Sequence, residues 1–170
     1  MFAVVVTGPP GAGKSVVLMA LADALIDDQI AHATIDVDEV AWAWPYPDMD
    51  ERIDLLRALW EAHRRAGHEL LVMGEVIESS EQLDALLSAL AADDHLLVRL
   101  EAPSALLRQR ILQREPPGWS GLEQLLAEAE VLAVSQAELD GVHLVADTAR
   151  AGPDEIAARI RAERRDLLGG

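Results

Sequence analysis

Phe2-Ala3-Val4-Val5-Val6-Thr7-Gly8-Pro9-Pro10-Gly11-Ala12-Gly13-Lys14-Ser15 is the stretch on which the fold turns. Its first six residues form an apolar, β-branched run, the pattern of a short buried strand. Gly8 to Ser15 fits G-x-x-x-x-G-K-[ST] at every fixed position. Val17, Leu18, Leu21 and Leu25 then recur at helical steps and predict a helix ending near Asp27 and Asp28. Strand, glycine loop and helix follow without a gap, which is the context this motif requires.

These residue types suit one chemistry. A triphosphate needs several backbone N–H groups turned inward, and Gly8, Gly11 and Gly13 permit the conformations and close approach involved. The positive end of the following helix faces the phosphates. Lys14 can reach the β- and γ-phosphates, and the Ser15 hydroxyl is placed for Mg²⁺. The run Gly8, Pro9, Pro10, Gly11, Ala12, Gly13, Lys14, Ser15 and Val16 is therefore the expected cradle for a nucleoside triphosphate. Lys14 is the sole lysine, and asparagine is absent. Arginine has displaced lysine everywhere else, and the exception sits where a planar guanidinium would not fit.

The 170 residues suit a single domain over 1–170 with a sizeable core. A hydrophobic content of 51% and mean hydropathy of +0.12 exclude a disordered chain. No apolar run reaches the ~18 residues of a membrane span, and no basic leader precedes the first strand. There is no cysteine, hence no disulfide framework or thiolate metal site. Together with the phosphate loop these features make the cytoplasm the expected compartment and a membrane partner unexpected. The net charge of −16 argues against a nucleic-acid partner, which needs basic stripes.

Further short apolar runs predict strands over 32–35, 69–73, 95–100 and 142–146. Helical patterns lie between them: one capped by Asp50 and running to about Arg65, from Ser79 or Ser80 through Leu90, Pro103 to Arg114, Ser120 to about Leu139, and a last helix from Pro153. Pro45 and Pro47 keep Trp42-Ala43-Trp44-Pro45-Tyr46-Pro47 out of a regular helix. Alternating strands and helices predict an α/β three-layer sandwich around a five-stranded parallel sheet. Ligands in such sheets bind at the strands' carboxyl ends, where Gly8, Asp36, Asp38, Gly74, Glu75 and Asp147 all fall; Asp36 and Asp38, alternate residues leaving the second strand in extended form, are expected to point the same way.

The chain resembles the small P-loop kinases: the shikimate, gluconate, adenylylsulfate and chloramphenicol kinases and the nucleoside monophosphate kinases. The resemblance is specific at Gly8–Ser15, at Asp36-x-Asp38 and at Arg110-Ile111-x-x-Arg114. It implies strand order 2-3-1-4-5, ATP and Mg²⁺, and a small-molecule acceptor. It also implies that Asp36 serves the metal side and Asp38 the acceptor side as general base. Arg110 and Arg114 would flank the adenine or close over the phosphates, with a short lid around 114–120. Arg150, just after the fifth strand, would lie near the adenine.

Glu75, beside Gly74, stands where a Walker B carboxylate belongs. Trp42, Trp44 and Tyr46 follow Asp38 and are expected either to wall the acceptor pocket or to plug the core near the next helix. The expected activity is transfer of the γ-phosphate to a hydroxyl of a small molecule, with Lys14, Asp36, Asp38 and Arg114 as the reacting group. A nucleoside or nucleotide kinase is the first rival, and an NTP-binding module or slow ATPase the second. The acceptor and the oligomeric state are not legible in the sequence.

Overall fold

The computed structural model describes residues 1–40 and 43–165. Five strands form one parallel sheet: β1 (Phe2–Thr7), β2 (Ala33–Asp36), β3 (Leu70–Gly74), β4 (Asp94–Glu101) and β5 (Leu144–Asp147). Their order is β2-β3-β1-β4-β5, the expected arrangement, with β1 central and buried at all six positions. Register follows the β-branched runs: Val4 lies between Val72 of β3 and Leu96 of β4.

Alternation along β1 divides the core. Phe2, Val4 and Val6 pack with Leu18, Leu21 and Leu25 of α1 (Lys14–Asp27) and Ile156 and Ile160 of α7 (Pro153–Glu163). Ala3 and Val5 face the opposite layer. There, Leu56 and Trp60 of α3 (Met49–Arg65) meet Leu83, Leu86 and Leu90 of α4 (Ser80–Leu90). Both sheet faces are therefore covered, as a continuously apolar parallel sheet requires. A smaller cluster, Ile111, Leu126 and Ala129, joins α5 (Ser104–Arg114) to α6 (Leu122–Ser135).

Three local expectations need correction. Asp48, not Asp50, caps α3: Asp48 Oδ1 accepts from Glu51 N and Glu51 Oε2 accepts from Asp48 N, each at 3.0 Å. Asp48-x-x-Glu51 is a reciprocal capping box, which satisfies two free N–H groups where Asp50 would satisfy one. The helix expected to run to Leu139 stops at Ser135 and tightens into a 3₁₀ turn over Gln136–Glu138. Finally, Asp38 does not leave β2 in extended form. It lies in a short helix, α2 (Val37–Val40), whose start is held by Asp36 Oδ1 accepting from Asp38 N at 3.3 Å.

Candidate functional site

The loop from Gly8 to Gly13 joins β1 to α1 at the carboxyl edge of the sheet. Gly11 and Gly13 have φ of +82° and +96°, conformations that disfavour any Cβ. At Gly11 space is also closed, since a Cβ would stand 2.8 Å from the Leu107 carbonyl oxygen of α5. Gly13 caps α1 in the left-handed conformation, so the first N–H groups of that helix have no side-chain cap. Such free donors suit an anion.

Lys14 is 8% exposed, and its Nζ donates to the Gly8 carbonyl at 3.0 Å, folding the side chain back over the loop. Burial pushes its pKa below the ordinary lysine value; Asp38, Asp36 and Glu75 oppose the shift and Arg114 adds to it. One ammonium thus feels charges from α2, the end of β2, the end of β3 and the end of α5. Four of the expected site residues, Asp36, Asp38, Glu75 and Arg114, thus bear electrostatically on Lys14.

Ser15 Oγ donates to Asp36 Oδ2 at 2.6 Å. A hydroxyl and a carboxylate side by side are the hard oxygen donors that Mg²⁺ takes, so the residues present fit that ion. Gly74 brings this corner together. It pairs in register with Asp36, and a Cβ on it would stand 2.6 Å from Leu18 Cδ1. A larger residue there would first displace the end of the Leu18 side chain.

Glu75 is 3% exposed, and burial raises its carboxyl pKa. Arg52 of α3 pulls it back down, as does the Val76 N–H at 2.8 Å. Arg52 Nη2 donates to both Glu75 oxygens at 2.9 Å and to Asp38 Oδ1 at 3.2 Å. Sequence reasoning missed Arg52. One signal was available: a cation in the first turns of a helix is opposed by the dipole and calls for nearby carboxylates. Below it, Val37, Met49, Ile53, Leu56 and Leu86 line a small apolar cleft, with Arg52, Glu75 and Gln82 as its polar wall.

The arginines differ in role. Arg110 Nη1 donates to the Gly11 carbonyl at 3.2 Å and to Thr148 Oγ1 at 2.8 Å; its Nη2 donates to the Thr148 carbonyl at 2.9 Å. It therefore ties the phosphate loop to the turn after β5. Arg114 is held by its neighbour Glu115 at 2.7 Å. Arg150 pairs with Asp147 at 3.1 Å and is otherwise open to solvent. Val16 lies on the outer side of α1, 56% exposed.

Trp44 is 85% exposed and meets Tyr46 edge to face, with ring centroids 5.6 Å apart. Neither ring is in the core, so the plug reading does not describe these two. Trp42 lies outside the described residues. Among the described residues, no helix is long and apolar enough to cross a membrane.

No protein-family model matches the chain, and comparison with curated proteins gives no match. Solved structures do match over nearly the full length. A sugar kinase from Janibacter sp. HTCC2649 superposes with TM-score 0.67 at 21% identity, covering 98% of this chain and 95% of that one. A gluconokinase from Sinorhizobium meliloti 1021 gives 0.61 at 22%, covering 98% and 93%. Shikimate kinase from Acinetobacter baumannii, in complex with shikimate, gives 0.58 at 17%, covering 98% and 94%. With its 2-3-1-4-5 parallel sheet and the glycine loop after the central strand, the chain has the fold of the small P-loop kinases.

Proposed function

We propose that this chain is an ATP- and Mg²⁺-dependent kinase that phosphorylates a hydroxyl group of a small molecule. The observation that carries this reading is the complete phosphate loop, with its buried Lys14 folded over the Gly8 carbonyl and the Ser15–Asp36 pair beside it at 2.6 Å. A structural glycine turn has no need of a desolvated cation or of a hydroxyl–carboxylate pair at the start of its helix. Phosphoryl transfer needs positioning and charge neutralisation around the phosphate, and this group supplies both.

In this reading the loop Gly8–Val16 and the Lys14 ammonium hold the β- and γ-phosphates, the loop through its N–H groups, which Pro9 and Pro10 lack. Ser15 and Asp36 would hold Mg²⁺, which supplies charge neutralisation at the phosphates. Asp38, only partly engaged by Arg52, accepts the proton of the acceptor hydroxyl as its oxygen bonds to the γ-phosphorus and ADP departs. Glu75 and Arg52 fix Asp38 from behind. Arg114 approaches the phosphates from a short lid over 114–120, and Arg110 and Arg150 serve the nucleotide's base side. Gly74, Glu75, Trp44 and Tyr46 would take the acceptor beside Asp38, as would Trp42, which lies outside the described residues.

An ADP-coupled assay across sugars, sugar acids, nucleosides and hydroxylated aromatic compounds tests the reading. Acceptor-stimulated ADP release by the wild type, abolished in Lys14→Ala, is the expected result. Tight ATP binding with no stimulation by any acceptor would leave an NTP-binding module instead.

A further inference from the structure

Gln136 begins the 3₁₀ turn after α6 and is 1% exposed, one of few polar residues in the interior. Its Nε2 donates to Thr7 Oγ1 at 3.2 Å and to the Ile77 carbonyl at 2.8 Å, while Ile77 N donates to Thr7 Oγ1 at 2.9 Å. The amide orientation is forced, because the Ile77 carbonyl can only accept. Its Oε1 is left buried without a protein partner. The main chain is pinned as well: Arg99 Nη1 of β4 donates to the Gln136 carbonyl at 2.5 Å.

The positions of these contacts matter. Thr7 immediately precedes Gly8, whose carbonyl holds Lys14. Ile77 lies two residues beyond Glu75, whose carboxylate holds Arg52 and through it Asp38. The phosphate side and the acceptor side of the site come from different strands, β1 and β3. The last direct main-chain bond between them runs from Glu75 N to the Val6 carbonyl at 3.2 Å; beyond it, Thr7 at the end of β1 and Gln136 carry the link on to Ile77.

Apolar residues at 7 and 136 would fill the same space. They would leave the Ile77 N–H and carbonyl unpaired, and non-directional packing tolerates sliding that a hydrogen bond resists. A buried glutamine that makes two directed bonds, to Thr7 and to the Ile77 carbonyl, does more than fill a core.

We propose that Gln136 and Thr7 are positioning residues that set the distance between the phosphate loop and the Glu75–Arg52–Asp38 group. Their consequence for turnover rests on the kinase reading; the positioning itself does not. A misplacement of about 1 Å costs on the order of 10²-fold in rate, so small movements at Ile77 suffice.

The test uses Thr7→Val, which keeps shape and removes the acceptor oxygen, Thr7→Ser, which restores it, and Gln136→Leu. Crystal structures give the Gly8–Glu75 separation. ADP release at saturating ATP and acceptor gives turnover, and calorimetry with a non-hydrolysable ATP analogue gives nucleotide affinity. Thr7→Val and Gln136→Leu are expected to shift Glu75 relative to Gly8 and to lower turnover about tenfold or more. Affinity for the analogue should stay within about threefold, and Thr7→Ser should match the wild type.

A folded Thr7→Val with Glu75 in place overturns the proposal, as does a parallel fall in nucleotide affinity and turnover. Should Gln136→Leu fail to fold, the Thr7 pair decides alone. Should the wild type phosphorylate nothing, the kinase reading falls. A Glu75 displaced in Thr7→Val and native in Thr7→Ser would still uphold the positioning role.

Discussion

Arg52 Nη2 stands 2.9 Å from each oxygen of Glu75, one nitrogen shared across a whole carboxylate. The Glu75 side chain is 5% exposed and that of Arg52 25%. Neither charge is therefore freely hydrated, and each makes the other tolerable. Desolvation works against the Arg52 cation, and Glu75 and Asp38 outweigh it, so its pKa lies above the ordinary arginine value.

Breaking this pair from one side should be severe. Arg52→Met would leave Glu75 buried and uncompensated, at a cost of about 3–5 kcal/mol. The double variant Arg52→Met/Glu75→Leu should recover most of that loss, because two apolar residues can replace a buried ion pair at little net cost. Urea denaturation of both proteins checks the expectation; equal losses would show that the pair is not the source.

The Glu75 carboxyl also gives a pH signature. Its folded pKa is raised, so between the unfolded value, near 4.5, and the folded value the native state binds more protons than the unfolded chain. Its contribution to stability therefore falls as pH rises through that window and is flat above it. Relative to Glu75→Gln, the wild type should lose stability from about pH 4.5 upward. Denaturation curves at successive pH values measure the difference; a gain in place of a loss would reverse the sign of the shift.

Lys14→Met separates stability from binding. Burial of an ammonium with one carbonyl partner is unfavourable, as its lowered pKa records. The nucleotide-free variant should be more stable than the wild type by about 1 kcal/mol, roughly 2–4 °C in Tm for a chain of this size. Saturating nucleotide raises stability by about 2.7 kcal/mol at one hundred times Kd, and the variant should forfeit most of that rise. Thermal melts with and without ATP and Mg²⁺ read both effects.

Asp38→Asn should lower kcat by about 10²- to 10⁴-fold, the usual worth of a positioned proton acceptor. ATP affinity should change by no more than a few-fold, since the phosphate loop is untouched. An unaltered kcat with weakened nucleotide binding would move Asp38 to the metal side and exchange its role with that of Asp36.

Trp44→Ala should leave stability almost unchanged, within about 0.5 kcal/mol, because the ring is 85% exposed. Acceptor KM should rise about 2- to 12-fold, the equivalent of the 0.5–1.5 kcal/mol that a ring contact contributes. Measured together, an unchanged KM would place the acceptor elsewhere.

Much of this molecule was determined by the sequence alone, because its signals are local. The run Phe2–Thr7, the loop Gly8–Ser15 and the helical steps from Val17 to Leu25 lie within one short stretch, and a strand, a glycine loop and a helix start need only neighbours. Sheet order came from the resemblance, and the structure has that same order. What only the tertiary structure decided is which distant groups meet. Nothing near Arg52 in the chain names Glu75, which is 23 residues away, and nothing near Thr7 names Gln136, which is 129 residues away. A buried polar group can be satisfied by any partner that the packing brings within reach. Only the close approach of α3 to the end of β3, and of the turn after α6 to the end of β1, selected these.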